Sequence, residues 1–164
     1  MVEQVYNAFL GCDQKVTTDT RNIAKNDLFF ALKGPNFNGN KFAEKALELG
    51  AKYAVIDEKE YFIEGKTFLV ENVLETLQNL ARHHREKINI PVVAITGTNG
   101  KTTTKELLGA VLTSQYNILI TEGNLNNHIG VPLTILQLNK QHEIAVIEMG
   151  ASKIGDIKEL VEIA

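Results

Sequence analysis

The chain has 164 residues, 44% hydrophobic and 23% charged, with 17 basic and 20 acidic side chains intermixed for a net charge of −3. That length allows one sizeable core or two small ones; no Lys/Arg run reads as a nucleic-acid footprint or a membrane anchor, and no apolar stretch nears the ~20 residues that span a bilayer, so neither nucleic-acid partners nor membrane insertion are expected. Met1-Val2-Glu3-Gln4-Val5 lacks the basic region and apolar core of a secretion signal, and the lone cysteine, Cys12, excludes an internal disulfide and reads as a small, partly buried side chain, which together fit a reducing cytoplasm.

The chain reads as two halves without repeats or low-complexity segments. In the first, residues 15–18 suit a short strand, and Asp19-Thr20-Arg21-Asn22 a turn. The apolar run 28–32 predicts a buried strand. Residues 33–40 carry Gly34, Pro35, Asn36, Asn38 and Gly39, which predicts a loop. Phe42, Ala43, Ala46, Leu47 and Leu49 sit at helical spacing, and Gly50 is a stop signal. Short strands follow at Tyr53–Ile56 and 67–70. Val73, Leu74, Leu77, Leu80 and Ala81 then keep a helical period that ends in the polar cluster Arg82-His83-His84-Arg85-Glu86-Lys87. His83 and His84 have no Cys or carboxylate at metal spacing and read as a solvated helix end. Ile88-Asn89-Ile90-Pro91 is a linker, since Pro91 pushes the residue before it out of helix.

The second half opens with the apolar strand Val92–Ile95. A glycine loop and an amphipathic helix carrying Leu107, Leu108, Val111 and Leu112 come next. Residues 117–121 suit a strand. Pro132 stands well in the first turn of another helix, through about Leu138. Residues 144–147 have the apolar character of a parallel strand. From Ser152 to Ala164, Ile154, Ile157, Leu160, Val161 and Ile163 predict a final helix. Alternating strands and helices make this an α/β fold. The sequence stops before a doubly wound sheet is complete, so a fragment of a longer protein is expected.

Strand Val92–Ile95, loop 97–101 and a helix from about Thr102 form a phosphate-binding unit. Backbone N–H groups feeding a helix N-terminus offer donors and a positive dipole end in one place. Gly97 and Gly100 let the backbone turn tightly against phosphates, Thr98 and Asn99 complete the turn, Lys101 can reach the β and γ phosphates, and Thr102 offers a hydroxyl to Mg²⁺. This predicts ATP and Mg²⁺ as cofactors. The general pattern G-x-x-x-x-G-K-[ST] places its first glycine at position 95, where this chain has Ile95; the glycine comes two residues later. The bland alternative is a glycine turn capping a helix beside a chance Gly-Lys-Thr.

With that shift, Thr96-Gly97-Thr98-Asn99-Gly100-Lys101-Thr102-Thr103 resembles the ATP loop of the Mur ligases and their folylpolyglutamate synthase relatives, which are ATP-dependent amide-forming enzymes. Gly123-Asn124-Leu125-Asn126-Asn127-His128-Ile129-Gly130-Val131-Pro132 resembles the second block of the member that adds D-alanyl-D-alanine. Ile147-Glu148-Met149-Gly150-Ala151 and Gly155-Asp156-Ile157 resemble its metal-binding strand and the turn beyond. Asp19-Thr20-Arg21, Phe29-Phe30-Ala31-Leu32-Lys33-Gly34, Gly39, Phe42, Ala46 and Gly50-Ala51 resemble the domain that holds the UDP-sugar. Where that family often has Asp-Gly-His, this chain has Asn38-Gly39-Asn40, so no role passes to the usual His. The resemblance implies a small mixed α/β UDP-sugar-binding domain over 1–86, then over 87–164 the first part of a P-loop parallel-sheet ATPase domain. Family members are much longer, and their C-terminal acceptor domain lies outside these residues.

The chemistry implied is ATP-dependent joining of D-alanyl-D-alanine to UDP-N-acetylmuramoyl-tripeptide through an acyl phosphate, by a cytoplasmic monomer. A member adding the third peptide residue and a non-ligating nucleotide module stay open as alternatives. Lys101 and Glu148 are the candidate catalytic groups, with Thr102 and Glu148 on the metal. Glu148 ends an apolar strand, and strand C-terminal ends face the ligand crevice; the alternative is an exposed strand-end acid. Gly97, Thr98, Asn99, Gly100, Thr102, Thr103, Asn126 and Asn127 are candidate ATP contacts, although the two asparagines would serve equally as turn residues bonding their own backbone. His128 reads as a polar loop residue. Thr20 and Arg21 could hold the uridine diphosphate, Arg being a bidentate phosphate partner, or be a turn with a surface ion pair; Lys33 and Gly34 are weaker candidates for the same substrate.

Overall fold

The computed structural model describes residues 1–164 as two compact units, Met1–Leu80 and Ala81–Ala164. The first contains helix α1 (Val2–Gly11), strands β1 (Val16–Thr17), β2 (Leu28–Phe30), β3 (Lys33–Gly34) and β4 (Phe37–Asn38), helix α2 (Ala43–Glu48), strands β5 (Tyr53–Ile56) and β6 (Thr67–Leu69), and the start of helix α3 (Val73–Lys87). A parallel sheet runs in the order β1-β2-β5-β6. Phe29, Ala54 and Ile56 share one face, where they pack with Ala31, Ala43, Ala46 and Ala51. Period-two alternation leaves Leu28, Phe30 and Val55 for the other face. Helices α1 and α3 carry further wholly buried side chains, including Val5, Phe9, Leu77 and Leu80.

Several elements differ from expectation. Helix α1 went unread, although Val5, Ala8 and Phe9 sit at the helical spacing that buries them. Cys12, expected to be partly buried, is fully buried, and burial pushes its thiol up to about 11. Residues 33–40, expected as a loop, hold a short antiparallel hairpin that pairs Lys33 with Asn38 and Gly34 with Phe37. Gly50, at φ 118°, does stop α2.

Helix α3 runs on through the polar cluster to Lys87, and the division between units falls inside it, six residues before the expected boundary. Its polar end belongs to the second unit. Arg82 Nε donates to Glu162 O, Arg85 Nε to Ala164 O, and His84 Nε2 lies 2.8 Å from Leu138 O. His84 is therefore 1% exposed and not the solvated residue that its charged neighbours suggested. A carbonyl only accepts, so His84 carries its proton on Nε2, and burial lowers its affinity for a second proton.

The second unit holds β7 (Val92–Ile95), α4 (Lys101–Leu112), β8 (Ile118–Ile120), α5 (Gly130–Ile135), β9 (Ile144–Glu148) and α6 (Asp156–Ile163). Its sheet is parallel, ordered β7-β9-β8. Strand β9 lies between two neighbours, and Ala145 to Ile147 are wholly buried, as a continuous apolar run in a parallel sheet should be. Helix α4 turns a different face to the sheet from the one expected. Lys105 and Gly109 are buried, while Leu107 and Val111 are 65% and 68% exposed. Positions 105 and 109 are one turn apart, which puts 107 and 111 on the far side. Helices α5 and α6 are shorter than predicted. Ile154 lies before α6 and is fully exposed.

Candidate nucleotide site

Three strand ends of the second unit build the site. Strand β7 ends at Ile95, which pairs in register with Glu148 at the end of β9. The chain then turns through residues 96–100, all exposed, into α4. Gly100, with φ 75° and ψ 2°, is the residue at which the turn becomes helix, a left-handed conformation that favours glycine. No side chain caps α4. Its first-turn N–H groups therefore remain available to an anion, at the positive end of the helix dipole. Lys101 Nζ donates to Gly97 O at 2.7 Å, laying the ammonium across the loop where phosphates would sit. Thr102 and Thr103 are exposed on the first turn of α4.

Beside the loop, Glu148 is 1% exposed. Its Oε1 accepts from Asn126 Nδ2 at 2.8 Å, and its backbone N–H donates to Thr121 Oγ1 at 2.9 Å. Its Oε2 is buried without a hydrogen-bond partner, with Lys105 Nζ 4.0 Å away. A buried carboxylate oxygen left unbonded costs free energy unless something else meets it. An oxygen donor at a strand C-terminus, in register with the residue that leads into the phosphate loop, has the hard-ligand chemistry that Mg²⁺ prefers. The residues present thus fit a nucleotide with its divalent ion, and Glu148 is not the exposed strand-end acid that was the alternative.

The asparagine pair divides its roles. Asn127 Oδ1 accepts from the N–H groups of Ile129 and Gly130, bonding its own turn at the start of α5. Asn126 reaches Glu148, and its carbonyl accepts from Gly150 N at 2.7 Å. A Cβ on Gly150 would stand 3.1 Å from the Asn126 side chain, so a larger residue would press on it. His128 lies within 3.1 Å of Asp156 Oδ1, while Asp156 Oδ2 accepts from Ser152 N and Lys153 N. Those two backbone bonds, with His128 after them, hold the Asp156 carboxyl down to about 2. The result is an open cleft of about 680 Å³ lined by Thr96, Gly97, Thr98, Lys101, Asn126, Asn127 and residues 150–152.

The first unit has its own cavity, of about 530 Å³, lined by Thr18, Asp19, Thr20, Arg21, Phe29, Phe37 and Phe42. Phe37 and Phe42 stack with ring centroids 5.4 Å apart, and both are partly exposed. Arg21 lies along Asp19 in a fork, Nε to Oδ1 at 2.9 Å and NH2 to Oδ2 at 2.7 Å. That fork, joined by the Arg21 N–H, lowers Asp19 to about 2. Lys33 and Gly34 do not line this cavity. Lys33 Nζ is held by Asp57 Oδ1 at 3.0 Å and Glu58 Oε1 at 3.5 Å, and Gly34 meets open space where a Cβ would be.

The model described as the Mur ligase family, catalytic domain, matches residues 14–96, half of the chain, and the Mur ligase middle domain matches 95–164. The chain belongs to the Mur ligase family. The UDP-N-acetylmuramoyl-tripeptide–D-alanyl-D-alanine ligases of Synechocystis sp. and Bacillus subtilis are 43% and 42% identical to it, over 91% of this chain and 33% of each relative. The MurF ligase of Thermotoga maritima, solved in complex with ADP, superimposes with a TM-score of 0.83 at 38% identity, over 93% of this chain and 36% of that one. A 2,6-diaminopimelate ligase shares the fold only, at 19% identity and a TM-score of 0.55. This Mur ligase chain therefore spans about a third of the length of the curated relatives it matches. No helix is long and apolar enough to cross a membrane.

Four residues in or beside the two crevices went unread in the sequence. Thr121 and Lys105 look like a strand-end hydroxyl and a solvated helix lysine, and nothing in their spacing points at Glu148. Asp156 sits in a quoted motif, but its bonds to residues 152 and 153 depend on the turn before α6. Phe37 lay in the supposed loop, and only the hairpin brings it onto Phe42.

Proposed function

We propose that these residues are the UDP-sugar and ATP-binding part of a ligase that adds D-alanyl-D-alanine to UDP-N-acetylmuramoyl-tripeptide. The observation that carries the reading is buried Glu148 with its unbonded Oε2 beside the phosphate loop. Relatives at 41–43% identity bear that activity in their names. In this reading residues 1–86 hold the UDP-sugar and 87–164 the nucleotide, in the cytoplasm. The same reading takes the protein to act as a monomer.

An amide does not form readily from a carboxylate and an ammonium in water, so the carboxylate needs activation. The α4 N–H groups, Gly97, Thr98, Asn99 and Gly100 cradle the ATP phosphates. Lys101 leaves Gly97 O to hold the β and γ phosphates and balance the charge that builds on transfer. Glu148 and Thr102 would hold Mg²⁺, which supplies charge neutralisation to the phosphates when bound. Asn126 keeps Glu148 oriented, and Asn127 holds the turn that carries Asn126. The tripeptide's terminal carboxylate attacks the γ-phosphorus of ATP and ADP leaves, the amine of D-Ala-D-Ala then attacks the carbonyl carbon of the acyl phosphate, and phosphate leaves from the tetrahedral intermediate as the amide forms. Thr20 and Arg21, with the Phe37–Phe42 pair, form the uridine diphosphate pocket. Arg21 exchanges Asp19 for phosphate, and Lys33 with Gly34 flanks this pocket in a lesser role.

The test is phosphate release by the full-length protein with the UDP-tripeptide, ATP and D-Ala-D-Ala. Release only with the UDP-dipeptide and a third-residue amino acid would transfer the assignment to the neighbouring ligase. Hydrolysis independent of any amine acceptor would favour a nucleotide module without ligation. The 164 residues alone are expected to show little or no ligation.

A further inference from the structure

Lys105 is an unusual charge for its position. It lies one turn beyond Lys101 on α4, faces the sheet, and is 0% exposed. Its ammonium donates to Thr121 O at 2.7 Å and lies 2.9 Å from Glu106 Oε1. The third neighbour is Glu148 Oε2 at 4.0 Å. Lysine is rarely buried unless its charge is used, because removing an ammonium from water is costly. A site needing only bulk would accept Met or Leu.

The 4.0 Å separation is informative. It is too long for a hydrogen bond and short enough for strong attraction where water is excluded. A lysine serving only the fold would be expected to bond the carboxylate directly. Here the hydrogen bond goes to Thr121 O and the closer ion pair to Glu106, and Glu148 receives the charge alone. Thr121 completes the arrangement, since its hydroxyl takes the Glu148 N–H while its carbonyl takes Lys105. Helix α4, the end of β8 and the end of β9 are thereby joined around one carboxylate oxygen that no hydrogen bond occupies.

We propose that Lys105 is a positioning residue for Glu148: its charge holds the carboxylate in place and leaves Oε2 ready for a divalent cation arriving with the nucleotide. This rests on the reading of Glu148 as the metal carboxylate. Lys105 also repels that cation. The proposal requires that fixing the carboxylate outweigh this repulsion.

Calorimetric ADP titrations, in Mg²⁺ and in EDTA, test this on the full chain and on Lys105→Met, Lys105→Arg, Glu148→Gln and Lys105→Met/Glu148→Gln. Magnesium should strengthen ADP binding to the wild type. Lys105→Met should cut that enhancement at least tenfold, on the order seen for groups that orient metal ligands, with metal-free ADP binding preserved. Lys105→Arg should retain part of the enhancement. Glu148→Gln should abolish it, and adding Lys105→Met to that variant should change nothing further. Full or increased enhancement in Lys105→Met overturns the proposal, as does a further change in the double variant. Should Lys105→Met fail to fold, Lys105→Gln, whose neutral amide can still donate to Thr121 O, takes its place, and full enhancement in that variant overturns the proposal. Enhancement surviving in Glu148→Gln, or missing from the wild type, sinks the reading of Glu148 itself and the inference with it.

Discussion

The two parallel sheets of this chain each open a crevice at the carboxyl ends of their strands, and the two crevices hold charge in opposite ways. In the first unit the Arg21 and Asp19 side chains are 86% and 33% exposed, and Lys33 is 43% exposed. In the second, Lys105 and Glu148 are 0% and 2% exposed. Exposed pairs are screened by water and exchange partners at little cost, so Asp19 can give up Arg21 to an incoming phosphate. A buried pair cannot be re-solvated, so its geometry is fixed before any ligand arrives. The first crevice therefore suits reversible capture of an anionic substrate, and the second suits preorganised chemistry.

Substitutions can break or sharpen that contrast. The largest effect is expected in the second unit. Lys101→Ala in the full-length enzyme should lower ligation by about 10³-fold without changing its melting temperature, since the Lys101 side chain bonds only a loop carbonyl; near-normal turnover would remove Lys101 from the mechanism. Next, Arg21→Ala should weaken UDP-sugar binding by about tenfold, the loss of one charge-assisted partner, and leave ADP affinity unchanged; equal losses for both ligands would show that the crevices are not independent.

A smaller effect concerns His84. Burial holds its folded pKa below the ordinary 6.5. The unfolded chain then takes up a proton at higher pH than the folded chain does, so stability is complete above the ordinary value and falls as pH drops through the folded one. Melting temperature should decline as pH falls below about 6.5, and His84→Gln, which can still donate to Leu138 O, should flatten the decline. An unchanged slope would assign the acid sensitivity elsewhere. The smallest effect is expected at Lys33. Lys33→Ala should change UDP-sugar affinity by about threefold or less, because its ammonium already belongs to Asp57 and Glu58; a tenfold loss would move Lys33 into the binding site.

Much of the second unit could be read directly from the residues. Strand β7 and the glycine loop follow from a local pattern, because a phosphate loop uses backbone N–H groups and two glycines, Gly97 and Gly100, within one short stretch of chain. Glu148 was readable for the same reason, as the acid that ends an apolar strand. The first unit was less legible. Its hairpin 33–38 has two-residue strands, too short for any period to show, and the Phe37–Phe42 stack exists only once that hairpin forms. His84 was misread because its neighbours in sequence are charged, whereas in space it is buried against the backbone carbonyl of residue 138.

By itself, the sequence determined the α/β order of elements, the phosphate loop and the strand-end carboxylate, since each is written in contiguous residues whose backbone conformation is set locally. The tertiary structure alone decided which face of α4 is buried, and so brought Lys105 to Glu148. It likewise decided where α3 divides the chain, and which side chains line each crevice. Those outcomes depend on packing between segments tens of residues apart, where burial decides whether a charge is screened or held, and no local pattern encodes that.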